Sequence, residues 1–137
     1  MVVITFQPRF ADLVEHGSKP HTIRGERKRP IKPGDALSLR TWTGRPYMSP
    51  QRVLRPPTPC LSVIPIRVSW TDTGRPILLG ADVLTPDQAT ALAIADGFAS
   101  SADLVDWFDR THGLPFHGVL IRWALWPWIG DSSARVS

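Results

Sequence analysis

The 137-residue chain has one cysteine, Cys60, so no internal disulfide can form. That cysteine and four scattered histidines make no metal-ligand spacing, so neither a metal nor another cofactor is expected. No apolar run approaches the ~18 residues a membrane-spanning helix needs. Met1 to Phe6 lacks a basic leader and a small-residue cleavage site, which argues against a signal peptide. These absences predict a cytoplasmic protein without a membrane partner, and nothing points to a protein partner. The chain also has no G-x-S-x-G elbow, no P-loop and no H-E-x-x-H pair, so the common serine-hydrolase, nucleotide-triphosphatase and zinc-protease signatures are missing.

What is present suits a single domain with a real core, since 42% of residues are hydrophobic. The charge is unevenly spread. Residues 1–57 carry eleven Lys/Arg against four acids, whereas residues 58–137 carry five against eight. The basic half suits a phosphate-bearing partner, or serves only solubility.

Local signals divide the chain. Val2–Phe6 is β-branched and aromatic and predicts a strand. Pro8 suits a helix start, Phe10, Leu13 and Val14 share a helical face, and Gly17 ends that helix. His21–Arg24 alternates as a strand, with Ile23 inward and Thr22 and Arg24 on the other face. Gly25–Lys32 is a charged loop, Pro33-Gly34-Asp35 a turn, and Ala36–Arg40 a strand with Trp42 near its end. Thr43–Pro59 holds five prolines and three arginines with no acid, which predicts a long, mobile basic loop without regular structure, accessory to the site. Leu61–Trp70 is a strand whose Pro65 predicts an edge or a bulge. Thr71–Gly74 is a hairpin turn leading into Ile77–Leu79. Thr85-Pro86-Asp87-Gln88 is a capping box opening a helix to about Ala95, stopped by Asp96-Gly97-Phe98. Ser100 or Ser101 caps a last helix with Leu104, Trp107, Phe108 and Thr111 on one face, and Asp103, Asp106 and Asp109 off it and solvated. Phe116–Trp126 is a final strand, and residues 127–137 a tail. The sum is an α+β fold, a curved sheet of mixed pairing with packed helices, in one domain over residues 1–126.

Among the polar residues, Lys19, Thr22 and Arg24 stand out by spacing. A threonine hydroxyl becomes a useful nucleophile only when a base takes its proton. A lysine serves as that base when burial or a second cation lowers its pKa, and Arg24 is a candidate for that cation. Lys and Thr three apart are common, and a solvated lysine beside a strand threonine is the plainer account of these residues alone.

Phe6, Arg9-Phe10, Gly17, Lys19, Thr22-Ile23-Arg24 and Gly34-Asp35 together resemble the ASCH domain, a PUA-like β-barrel fold related to RNA-binding modules. Ala93–Phe98, Ser101–Phe108 and Gly118–Trp123 are similar to that family's helices and closing strand, so the resemblance covers most of residues 3–124 outside the proline loop. Within the family the likeness is to small bacterial amidohydrolases that deacetylate 4-N-acetylcytidine with a lysine, a threonine and a glutamate. The resemblance implies Lys19 and Thr22 as two members of that site. The third falls on Asp96, one methylene shorter than the family's glutamate. It also implies Phe6, Arg24 and Arg27 as substrate-binding residues, with Phe6 or a tryptophan stacking on the base and Arg24 or a backbone N–H at the oxyanion. The expected enzyme is a hydrolase of a non-peptide amide, acting on a modified pyrimidine nucleoside or RNA. The alternatives are an RNA-binding module or a ribonuclease using the same basic cleft.

Overall fold

A computed structural model describes residues 1–71 and 74–125. In chain order the elements are strand β1 (Val2–Phe6), helix α1 (Pro8–Glu15), β2 (His21–Arg24), β3 (Ala36–Trp42), β4 (Gln51–Val53), β5 (Thr58–Pro59), β6 (Ser62–Val68), β7 (Ile77–Leu79), β8 (Asp82–Val83), α2 (Pro86–Asp96), α3 (Ser101–His112) and β9 (Phe116–Arg122). This is a mixed α+β arrangement. The predicted turn residues Asp72 and Thr73, the strand end at Trp126 and the tail at 127–137 lie outside the described residues.

The strands form two sheets. In the first, β3 is central: β1 runs parallel to it, and β4 and β5 pair with it antiparallel. The second is antiparallel throughout, in the order β2-β9-β6-β7-β8. Among the described residues these ladders do not close into a barrel, which corrects the barrel expectation. The chain leaves α1 and enters the second sheet at β2, instead of extending the ladder begun by β1.

Local chemistry accounts for the helices. Pro8 opens α1, and Phe10, Ala11 and Val14 form its buried stripe. Burying a side chain such as Phe10 or Val14 contributes about 1.5–3 kcal/mol. Gly17, at φ 83°, follows the helix end. The capping box of α2 is formed in full: Gln88 N–H donates to Thr85 Oγ1 at 3.2 Å, and Thr85 N–H to Gln88 Oε1 at 3.0 Å. Ser100 caps α3 by accepting from Asp103 N–H at 3.1 Å. On α3, Leu104 and Phe108 are buried, Trp107 is half-buried and Thr111 is exposed; Asp103 and Asp106 face solvent, while Asp109 is half-buried. Helix α1 packs on β1 and β3, α2 on β2 and α3, and α3 on β9, over one continuous core.

One sequence expectation fails, and another holds only locally. Residues 43–59 are not a structureless loop, because β4 and β5 lie within them and both pair with β3. Arg40–Trp42 offers β4 a partner ladder, and Ala36–Leu37 offers one to β5. Local propensity does not register such a gain. Pro65 is not a bulge and β6 as a whole lies between β9 and β7, but β7 pairs only Ile66–Val68, so Pro65 itself sits at a locally open edge. It sits one residue beyond the Ile66–Leu79 pair that ends the β7 ladder, and its carbonyl accepts from Gly80 N–H at 2.8 Å. Its missing N–H faces that same side, where the β7 ladder has ended and only the Gly80 bond remains, so the β9 ladder loses nothing.

Gly118 explains how β2 and β9 come together. A Cβ built there would lie 2.3 Å from the Arg24 carbonyl oxygen, so only glycine admits the backbone that ends β2.

Candidate functional site

The segment between α1 and β2 is tied at both ends. Lys19 N–H donates to Leu13 C=O at 3.0 Å, and Pro20 C=O accepts from Trp123 N–H, just past β9, at 3.0 Å. This pins Lys19 between a helix end and a strand end and sends its side chain inward, where it is only 3% exposed.

Its partner is Asp96, the last residue of α2. Lys19 Nζ donates to the Asp96 carboxylate and, at 2.6 Å, to the Asp96 backbone carbonyl. The cation thus satisfies an acceptor at a helix C-terminus, where the dipole also favours it. The helix ends there because Gly97 takes φ 103°, and a Cβ on Gly97 would come within 2.8 Å of Phe10. Gly97→Ala is accordingly expected to cost about 2–4 kcal/mol, from left-handed strain plus overpacking. Urea unfolding measures this, and a loss below about 1 kcal/mol would contradict the steric account.

His21 was not assigned to the site from sequence. It is fully buried, with Nε2 3.2 Å from Asp96 Oδ1. The Asp96 carboxylate therefore lies against both Lys19 and His21. Burial pushes the Asp96 pKa up, but Lys19 and His21 outweigh it and hold the carboxyl below its ordinary value. Burial lowers the Lys19 pKa, Asp96 opposes that, and Arg24 and Arg9 push in the same direction as burial. His21 is also lowered by burial, against the pull of Asp96.

The His21 shift has a signed consequence. An imidazole whose folded pKa lies below its ordinary 6.5 binds fewer protons than the unfolded chain as pH falls through that range. Its contribution to stability is complete above pH 6.5 and lost as pH falls through the folded value. Urea unfolding at stepped pH should show stability falling below pH 6.5, and His21→Gln should flatten that slope. Stability that rises on acidification across this window would contradict it.

Thr22 and Arg24 share one face of β2, as the alternation predicts. Arg24 Nε donates to Thr22 Oγ1 at 3.1 Å, and Arg24 Nη2 donates to Thr5 C=O on β1 at 2.7 Å. Arg24 thereby bridges the two sheets and leaves its remaining N–H groups for a ligand. It lies 5.0 Å from the Phe6 ring centroid, and Trp123 meets that ring edge-on.

These residues line a cleft of about 300 Å³ at the junction of the sheets. Lys19, Thr22, Arg24, Asp96 and Phe6 are all on its wall. Phe10, Phe98 and Trp107 add an aromatic cluster, with centroids 5.6–6.3 Å apart in edge and tilted pairs. Phe98 follows the Gly97 turn directly, so the turn that presents Asp96 also presents a ring. Arg27 is the exception among the expected residues. It is exposed and off the cleft, on a neighbouring recess of about 330 Å³ that shares Thr5, Arg24 and Gly25 with it. β2 ends at Arg24, and the chain turns outward at Gly25, carrying Arg27 away.

The cleft thus joins a buried cation–carboxylate pair, a hydroxyl and a guanidinium beside aromatic surface. Cys60 is elsewhere and buried, and burial pushes its thiol pKa up, which disfavours the reactive thiolate. Among the described residues there is no cluster of three His, Cys, Asp or Glu able to hold a metal. No described helix is long and apolar enough to cross a membrane. No family model, curated protein or solved structure matches this chain.

Proposed function

We propose that this chain is a PUA-like domain of the ASCH type that hydrolyses the exocyclic amide of a 4-N-acylcytidine. The observation that carries the reading is the buried Lys19–Asp96 pair on the wall of a cleft that also holds Thr22 and Arg24. The placement of Asp96 at the end of α2, where its carboxylate and its backbone carbonyl both accept from Lys19 Nζ, supports it as the third member of the site.

In the reaction, neutral Lys19 takes the Thr22 Oγ proton as that oxygen attacks the acyl carbonyl. Arg24, already donating to Thr22 Oγ1, has further N–H groups for the oxyanion. The tetrahedral adduct collapses, the bond from carbonyl carbon to N4 breaks, and Lys19 returns its proton to N4, releasing cytidine. Water, deprotonated by the same lysine, cleaves the threonyl ester to give acetate and restores the hydroxyl. Asp96 orients Lys19 throughout. Trp107, half-buried on the cleft wall, offers a ring for the base.

The test is incubation with 4-N-acetylcytidine and chromatographic detection of cytidine. No turnover at high enzyme concentration overturns the reading. Because Lys19 must be deprotonated, kcat/KM should rise with pH through a pKa below the ordinary lysine value of 10.5. A rate that falls across that limb would remove Lys19 from the role of base.

A second reading, RNA binding without bond cleavage, is favoured by the recess between Arg24 and Arg27 and by exposed Lys28, Arg29 and Lys32 beyond it. A steep loss of RNA affinity with salt, without deacylation, would select it.

A further inference from the structure

We propose that Trp42 and Tyr47 form a stacking platform for the nucleobase next to the acylated cytidine, so that the preferred substrate is single-stranded RNA and not a free nucleoside. The proposal rests on the reading of the main cleft given above and adds a second base site beside it.

The connection between β3 and β4 is tightly organised. Thr43 N–H and Thr43 Oγ1 both donate to Pro50 C=O, at 2.9 and 2.8 Å. Ser49 Oγ accepts from Gly44 N–H at 3.0 Å and donates to Arg45 C=O at 2.8 Å. These bonds close the segment at its base and across its middle, and Tyr47 stands at its tip.

Tyr47 is 87% exposed, and its ring centroid lies 5.1 Å from that of half-buried Trp42, with planes tilted by 48°. It is also the one non-glycine residue with positive φ among the described residues, at 63°. Glycine would hold that conformation without strain, whereas a bulky side chain there is uncommon. An exposed ring kept on a strained backbone buries little and contributes little to folding. Such outliers cluster at ligand clamps.

The location supplies the ligand. A recess of about 270 Å³ is lined by Trp42, Gly44 and Pro46 together with Thr5, Phe6 and Gln7; Tyr47 does not line it but flanks it through its ring contact with Trp42. Thr5, Phe6 and Gln7 also line the main cleft, so the two hollows adjoin across β1 and its end. Charge favours a polyanion as the occupant. No acid occurs between Asp35 and Asp72; Arg45 lies in the same connection as Tyr47 and Arg40 on β3 two residues before Trp42, whereas Arg52 is paired with Glu15 and Arg67 is on the second sheet. An exposed ring on a connection that carries Arg45, next to a base-sized cleft, is an arrangement that suits a nucleic-acid strand.

The experiment compares wild type, Tyr47→Phe and Tyr47→Gly. Fluorescence anisotropy measures binding of a labelled pentaribonucleotide with a central, unmodified cytidine. The ratio of kcat/KM for a trinucleotide with central 4-N-acetylcytidine to that for the nucleoside is measured in parallel. Tyr47→Gly should weaken RNA binding roughly tenfold and reduce the kcat/KM ratio similarly, while Tyr47→Phe stays within about threefold of wild type. Folding stability of Tyr47→Gly should be equal to or above wild type, because glycine relieves the positive φ. Equal RNA binding by Tyr47→Gly and wild type, or no binding by wild type, overturns the proposal. A dimer in sedimentation velocity that Tyr47→Gly dissociates would give the platform to a second copy of the chain and also overturn it. Tyr47-dependent RNA binding without any deacylation would support the platform while removing the amidohydrolase reading. Deacylation with Tyr47-independent binding would do the reverse.

Discussion

Thr22→Ala is expected to lower kcat for 4-N-acetylcytidine by about 10³-fold or more, the scale seen when a covalent nucleophile is removed. The expectation follows from what surrounds Thr22. Its oxygen accepts from Arg24 Nε, which favours the alkoxide that forms during attack. The single cysteine cannot take over, because Cys60 is buried outside the cleft and lies near Ser62, not near Lys19. Thr22→Ser, which keeps the hydroxyl, should retain activity within about tenfold, whereas Thr22→Val, which keeps the shape and strand propensity, should be as inactive as alanine. Urea unfolding of each variant shows whether the fold is intact. More than a tenth of wild-type turnover in folded Thr22→Val would remove Thr22 from the role of nucleophile.

The second large effect concerns stability. Asp96→Ala should destabilise the protein by about 3–5 kcal/mol, because it leaves the Lys19 ammonium buried without its carboxylate. The variant should then recover stability as pH rises. Without Asp96, burial lowers the Lys19 pKa unopposed, so the unfolded chain binds the extra proton and alkaline conditions favour the neutral, folded form. Lys19→Met combined with Asp96→Leu should restore most of the stability, since a buried ion pair is often no better than apolar residues of similar volume. That double variant should have no hydrolytic activity. Recovery of stability without activity would separate what the pair does for the reaction from what it does for the fold. A loss below about 1 kcal/mol in Asp96→Ala would show that the pair is not desolvated.

The two effects meet at one turn. Asp96 can reach Lys19 because Gly97 stops α2 with φ 103°, and position 97 admits only glycine, because the Phe10 ring leaves no room for a Cβ. The same Phe10 anchors α1, whose C-terminal end delivers Lys19. A packing contact between two helices therefore sets the distance between a candidate base and its carboxylate.

Much of this was legible in local sequence. The stripe of Phe10 and Val14, the capping box at Thr85 and the serine before α3 specify helices through interactions within a few residues, and each formed where expected. Thr22 and Arg24 share a strand face because the side-chain period of a strand is two. The basic character of the first half is likewise a property of composition.

Other features were not legible there, because their energies come from distant partners. Strands β4 and β5 exist because β3 offers them partners, against the low strand propensity of a proline-rich stretch. Pro65 sits in a central strand because β7 ends one pair earlier, a register that β6 alone does not encode. Arg27 left the cleft because β2 ended at Arg24. His21 adjoins Thr22 in the chain, yet its relevance comes from Asp96, a residue at the end of another helix. Sequence alone determined which helices and principal strands form and which residues are chemically capable. Tertiary structure decided that Lys19, His21 and Asp96 are buried side by side, because desolvation and close charge pairing arise only when distant segments pack together.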